Sequence, residues 1–138
     1  MIELIVVMIV LGVLAALAMP RLTDRRALQE RGFRDAVAVM LRHAHQLAQA
    51  QRRDVCVLLT PALARSVYVA GGACSPANPV AEPGGSVPFS LAAPFGVTLG
   101  GAARVRFNSS GQPVPNANQI VSVGTQVLTV SRETGIVF

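Results

Sequence analysis

Ile2-Glu3-Leu4-Ile5-Val6-Val7-Met8-Ile9-Val10-Leu11-Gly12-Val13-Leu14-Ala15-Ala16-Leu17-Ala18-Met19-Pro20-Arg21-Leu22 decides how the rest of the chain is read. Glu3 is the one charged side chain before Arg21. A helix from Met1 to Met19 measures about 28 Å, close to the hydrocarbon thickness of a bilayer. Three readings fit such a run. It is a single-span anchor, or a secretory signal cut after Ala16-Leu17-Ala18, or a helix packed among other helices. The signal reading has the small-x-small site but lacks a basic region in front of the run. The third reading alone accounts for Glu3. A lone carboxylate at the edge of an apolar run is costly without a partner. In a bundle of such helices, a neighbour's N-terminal amine supplies the opposite charge.

Pro20 removes one helical hydrogen bond and crowds the carbonyl of Ala16. It either kinks a continuing helix or ends the span at the interface. From Thr23 the pattern turns amphipathic, and Thr23 or Asp24 can cap a restarted helix. Leu28, Phe33, Val37, Met40, Leu41, Ala44, Leu47 and Ala48 are expected on the buried face, and the helix is expected to run to about Gln51. Arg25, Arg26, Arg31, Arg34, Asp35 and Arg42 fill the other positions, with Asp35 placed to pair Arg31. The arginines at 21, 25 and 26 have two readings, lipid head groups or acids of neighbouring subunits.

After Asp54 the signals are strands and turns. Val55–Leu59 and Ser66–Ala70 read as strands, and Ser75–Gly85 as a long loop. Val97–Leu99 and Ala103–Phe107 read as strands around a Gly100-Gly101 turn. Ile120–Val123 and Gln126–Val130 flank Gly124-Thr125 as a hairpin. A last turn at Glu133–Gly135 precedes Ile136–Phe138. One long helix followed by short strands implies an α+β domain with a mainly antiparallel sheet. The expected organisation is 1–22 as a transmembrane or filament-core helix, 23–52 as an amphipathic helix, and 53–138 as a β-rich head.

Composition narrows the function. The 138 residues allow one modest domain. Hydrophobic residues make up 51% of the chain, concentrated at its start. The net charge of +5 comes from arginines with no lysine and no basic run, and Trp is absent, so nucleic-acid arms and base-stacking platforms are scarce. No catalytic motif is present, and the acids form no suggestive pair. His43 and His45, two apart on a helix, diverge and make no metal site with Cys56 and Cys74. No enzyme activity, cofactor or metal is therefore expected.

The opening segment resembles the N-terminus of type IV pilins and type II secretion pseudopilins. That family carries a short basic leader ending in Gly, then Phe-Thr-Leu-Ile-Glu and an apolar helix broken by Pro. Met1 stands two residues before Glu3, so the resemblance puts the prepilin-peptidase and N-methylation sites upstream of Met1. Asp54-Val55-Cys56-Val57, Phe107-Asn108-Ser109-Ser110-Gly111-Gln112-Pro113 and Thr129-Val130-Ser131-Arg132-Glu133-Thr134-Gly135-Ile136-Val137 resemble the GspH/FimT group of minor pilins and pseudopilins. The two cysteines and the Glu-Thr-Gly ending are similar to the minor pilin of mannose-sensitive haemagglutinin (MSHA) pili.

The resemblance implies a type IV pilin-like fold, with a long helix, transmembrane in its first half, packed on a pair of β sheets. It implies a single-pass bacterial inner-membrane protein with its head in the periplasm, later part of a pilus or pseudopilus. Implied partners are other pilin or pseudopilin subunits, the inner membrane and prepilin peptidase. Glu3 becomes the assembly residue and Pro20 the helix kink. DNA-binding FimT-like members carry Gly-Arg-x-Arg near the C-terminus. Here the matching place reads Gly135-Ile136-Val137-Phe138, which argues against DNA as a partner, and Arg104 and Arg106 keep a FimT-like DNA-binding minor pilin for DNA uptake as the alternative reading. Outside the cytoplasm Cys56 and Cys74 can oxidise, and a bridge would contribute about 3 kcal/mol. Reduced, Cys56 would be a buried thiol and Cys74 an exposed one.

Overall fold

The computed structural model describes the backbone of residues 2–18 and 20–138, and the side chains of 2–15 and 25–138. Helix α1 spans Ile2–Ala18 and helix α2 spans Pro20–Gln51. The expected kink at Pro20 involves Met19 and lies outside the described residues. Thr23 and Asp24 lie within α2 instead of capping it.

α2 ends in a motif that needs a left-handed residue. Arg52 takes φ 48°, and the Arg53 amide donates back to the Ala48 carbonyl at 3.2 Å. This is the Schellman arrangement, with arginine where glycine is usual. Strand β1 (Val55–Thr60) follows at once. β2 (Leu63–Ala70) and β3 (Ala73–Pro79) continue the meander. The remaining strands are β4 (Ser90–Ala92), β5 (Leu99–Gly101), β6 (Arg104–Phe107), β7 (Pro113–Val114), β8 (Gln119–Val123) and β9 (Gln126–Val130).

Two antiparallel sheets result. The larger runs β3-β2-β1-β6-β7 with β4 also on β2, and the smaller runs β5-β8-β9. Val130 and Val137 form a further bridge that lays the last segment beside β9. α2 packs across both sheets. Phe33, Val37, Met40, Leu41, Ala44 and Ala48 meet Val55, Val57, Leu59, Val105 and Phe107 from the larger sheet, and Val121, Val123, Leu128 and Val130 from the smaller. Alternation along β1 assigns the faces: Val55, Val57 and Leu59 point to α2, and Cys56 and Leu58 point away.

Several expectations are corrected. Leu28 is 65% exposed. At 100° per residue it lies roughly 140° round the helix from Phe33, off the buried stripe. Asp35 pairs with Arg34 at 2.9 Å instead of Arg31. The loop expected over Ser75–Gly85 begins as strand β3, an edge strand where Pro76 and Pro79 cost no ladder bond on the open side. Gly100-Gly101 is not a turn. It belongs to β5, which pairs with β8, whereas β6 pairs with β1 and β7. At Gly101 (φ 83°) a side chain would run into the Ile120 carbonyl, so glycine lets β5 approach β8. The Gly124-Thr125 hairpin joins β8 and β9 as expected, with Val123 opposite Gln126.

Candidate functional site

α1 makes the first candidate surface. Ile2, Leu4, Ile5, Val6, Val7, Met8, Ile9, Val10, Leu11, Val13 and Leu14 are all between 51% and 79% exposed. Among the described side chains of α1, residues 2–15, none is covered by the head. Glu3 sits in its first turn, where the helix dipole favours a negative charge. Among the described residues no helix is long and apolar enough to cross a membrane.

The stem joins the head through polar contacts that frame the apolar core. Glu30 Oε1 accepts from the Thr125 amide (2.5 Å), the Thr125 hydroxyl (2.6 Å) and the Gln126 amide (3.1 Å). Thr125 sits in the tight turn outside the ladder, and the carboxylate collects its amide and hydroxyl. The Thr125 hydroxyl first, then the Thr125 amide, hold the Glu30 carboxyl below its ordinary pKa. Burial opposes this, and the Gln126 amide adds to it.

A second polar row lies on α2 nearer its end. Arg42 donates to the Val137 carbonyl (3.3 Å), His45 Nε2 lies 3.0 Å from the Thr134 carbonyl, and Gln49 donates to the Ser110 carbonyl (3.3 Å). Steps of three and four put these side chains on one helix face. They hold the last segment and the 108–111 turn against α2. Gly135 (φ 70°) makes this close approach possible, because a side chain there would strike the Gly111 carbonyl and the His45 ring. His43 stands edge-on to Phe89, and His45 edge-on to Phe107, each at 5.6 Å between centroids. Among the described residues no cluster of three or more His, Cys, Asp or Glu is arranged to hold a metal.

On the far side of the larger sheet, Cys56 and Cys74 form a disulfide with a Cα separation of 5.9 Å. It ties β3 to β1 across the curled β2–β3 hairpin. Arg106 donates Nε (3.1 Å) and a terminal nitrogen (2.6 Å) to Asp54, and its other terminal nitrogen to the Gly72 carbonyl (3.0 Å). The ion pair thus fixes the helix-to-β1 junction and the Gly71-Gly72 turn to β6. Arg53 lies over the Tyr68 ring at 4.5 Å.

The Glu30 latch and the Arg106–Asp54 pair escape a sequence reading. Glu30 and Thr125 lie 95 positions apart, and Asp54 and Arg106 lie 52 apart. The one local signal is the two-residue turn, whose Thr125 amide lies outside the ladder and calls for an acceptor from elsewhere.

Comparison with protein-family models gives no match, and comparison with curated proteins gives none. Among solved structures, two crystal forms of the type IV minor pilin FimU from Pseudomonas aeruginosa (strain PAO1) are similar. Each gives a TM-score of 0.59 at 16% sequence identity. The matches cover 78% and 84% of this chain and 90% of the FimU chain. The fold is therefore that of a type IV pilin-like protein, an N-terminal helix packed on antiparallel β sheets.

Proposed function

We propose that this chain is a structural subunit of a type IV pilin-like filament, with α1 as the assembly element and the head as its outward-facing part. One observation carries the reading. The described side chains of α1, residues 2–15, are apolar on all sides apart from Glu3, and the head covers none of them. Leaving that surface in water is unfavourable by roughly 25 cal/mol per Å², so it needs a lipid or helical environment. The fold likeness to a minor pilin supports the helical one. Inner-membrane residence before assembly, with the head in the periplasm, is part of the proposal.

The finer reading is a minor pilin or pseudopilin of the GspH/FimT group, in a type II secretion pseudopilus or an MSHA-like or other type IV pilus. Prepilin peptidase is part of the proposed set of partners. Glu3 is proposed to pair with the terminal amine of an adjacent subunit, and Pro20 to let the stem bend where α1 meets α2. Glu3→Ala is expected to leave the chain in the membrane fraction of its native host and to lower its amount in sheared filaments. Equal incorporation of variant and wild type would count against the pairing.

A further inference from the structure

The outer face of the larger sheet carries charge that the stem and its docking do not use. Register places three residues in a row across adjacent strands: Arg65 on β2, Leu58 on β1 and Arg104 on β6. All three point away from α2, since their neighbours Ala64, Leu59 and Val105 are in the core. Strand spacing sets Arg65 and Arg104 roughly 10 Å apart, with Leu58 between them. The next row is Val67, Cys56, Arg106 and Val114. Arg106 is neutralised by Asp54. Neither Arg65 nor Arg104 has a hydrogen-bond acceptor or an acid partner among the described residues, and Arg65 Nε is buried without one. Arg104 borders a shallow depression completed by Gly72, Cys74, Arg106, Val114 and Pro115.

We propose that this face docks an extended, carboxylate-bearing protein segment that presents two acidic side chains on either side of an apolar one on the same face. The two guanidiniums take the carboxylates, and Leu58 takes the apolar side chain between them. A guanidinium matches a carboxylate with two parallel hydrogen bonds. The geometry favours a peptide over a nucleic acid for two reasons. Two unpaired arginines neutralise only about two phosphates, too few to hold DNA at moderate salt. The one tyrosine, Tyr68, registers with Val55 and so faces the α2 side, and the two outward rows of the sheet hold no aromatic side chain on which a base could stack. This assignment does not depend on the filament reading.

The test uses the full chain in detergent micelles and a fluorescent peptide in which single serines separate Glu, Leu and Glu, so that all three share one face when extended. Anisotropy is expected to show saturable binding that weakens with added salt. The double variant Arg65→Gln/Arg104→Gln is expected to lose about tenfold in affinity, and Arg132→Gln to match wild type. Amide hydrogen exchange on the wild type is expected to show new protection at β1, β2 and β6. No binding, unchanged binding by the double variant, or protection confined to other elements overturns the proposal. Tighter binding of an oligodeoxythymidylate at the same two arginines also overturns it and gives the face to phosphodiesters.

Discussion

Glu30 does the work of a backbone cap from the opposite end of the chain. Its folded pKa is lowered, so the stability it adds is present above its ordinary value near 4.5 and is lost as pH falls through the lower folded value. The sign follows because the unfolded chain binds more protons in that window. Glu30→Gln is expected to flatten the fall in melting temperature below about pH 4.5, measured by circular dichroism across pH. An unchanged acid limb would show that the carboxylate is not the acceptor that matters. Arg52 offers a second single-residue test. Its positive φ is costly for any residue with a Cβ, so Arg52→Gly is expected to raise stability by about 1 kcal/mol in denaturant unfolding. A loss would mean that the Arg52 side chain makes a contact worth more than the backbone strain. Neither role was legible in sequence. Glu30 reads as one of several arginine-flanked acids, and nothing local marks Arg52 as left-handed.

At the scale of elements, legibility follows the distance over which the deciding contact acts. The β8–β9 hairpin was readable because Val121, Val123, Leu128 and Val130 alternate around a two-residue turn. The end of α2 was readable because its apolar stripe stops at Ala48. β5 was not readable, because its partner β8 lies some twenty residues on and its two glycines imitate a turn. β3 was hidden by its prolines, which an edge strand tolerates. Two tests belong here. Gly135→Ala is expected to destabilise the head by on the order of 3 kcal/mol, from the positive φ and the clash with the Gly111 carbonyl. Wild-type stability in that variant would mean the 131–136 turn is free to move off α2. Replacing both Cys56 and Cys74 by alanine is expected to cost about 3 kcal/mol in denaturant unfolding, from a loop of separation 18. A change near zero would mean the β2–β3 hairpin holds its curl without the link.

The whole molecule divides its surface by task. α2 is bound into the head on one side by a continuous apolar core, latched near its middle by Glu30 and along its last turns by Arg42, His45 and Gln49. Among the described residues α1 has neither core nor polar latch of its own. Its apolar character and its single acid were plain in the sequence, and so was the α+β division. The pairing of the two sheets over one helix was less so, since each sheet is assembled from strands distant in the chain. The most direct measurement is oxidative cross-linking of single-cysteine variants along α1, such as Val7→Cys, Leu11→Cys and Leu14→Cys, in membranes of the native host. The native cysteines are already joined, so only the new thiol reacts. Cross-links to the apolar helices of other pilin-like subunits, recurring on several faces of α1, are the expected result. A chain that stays uncross-linked at every position while its head remains folded would contradict the role assigned to α1.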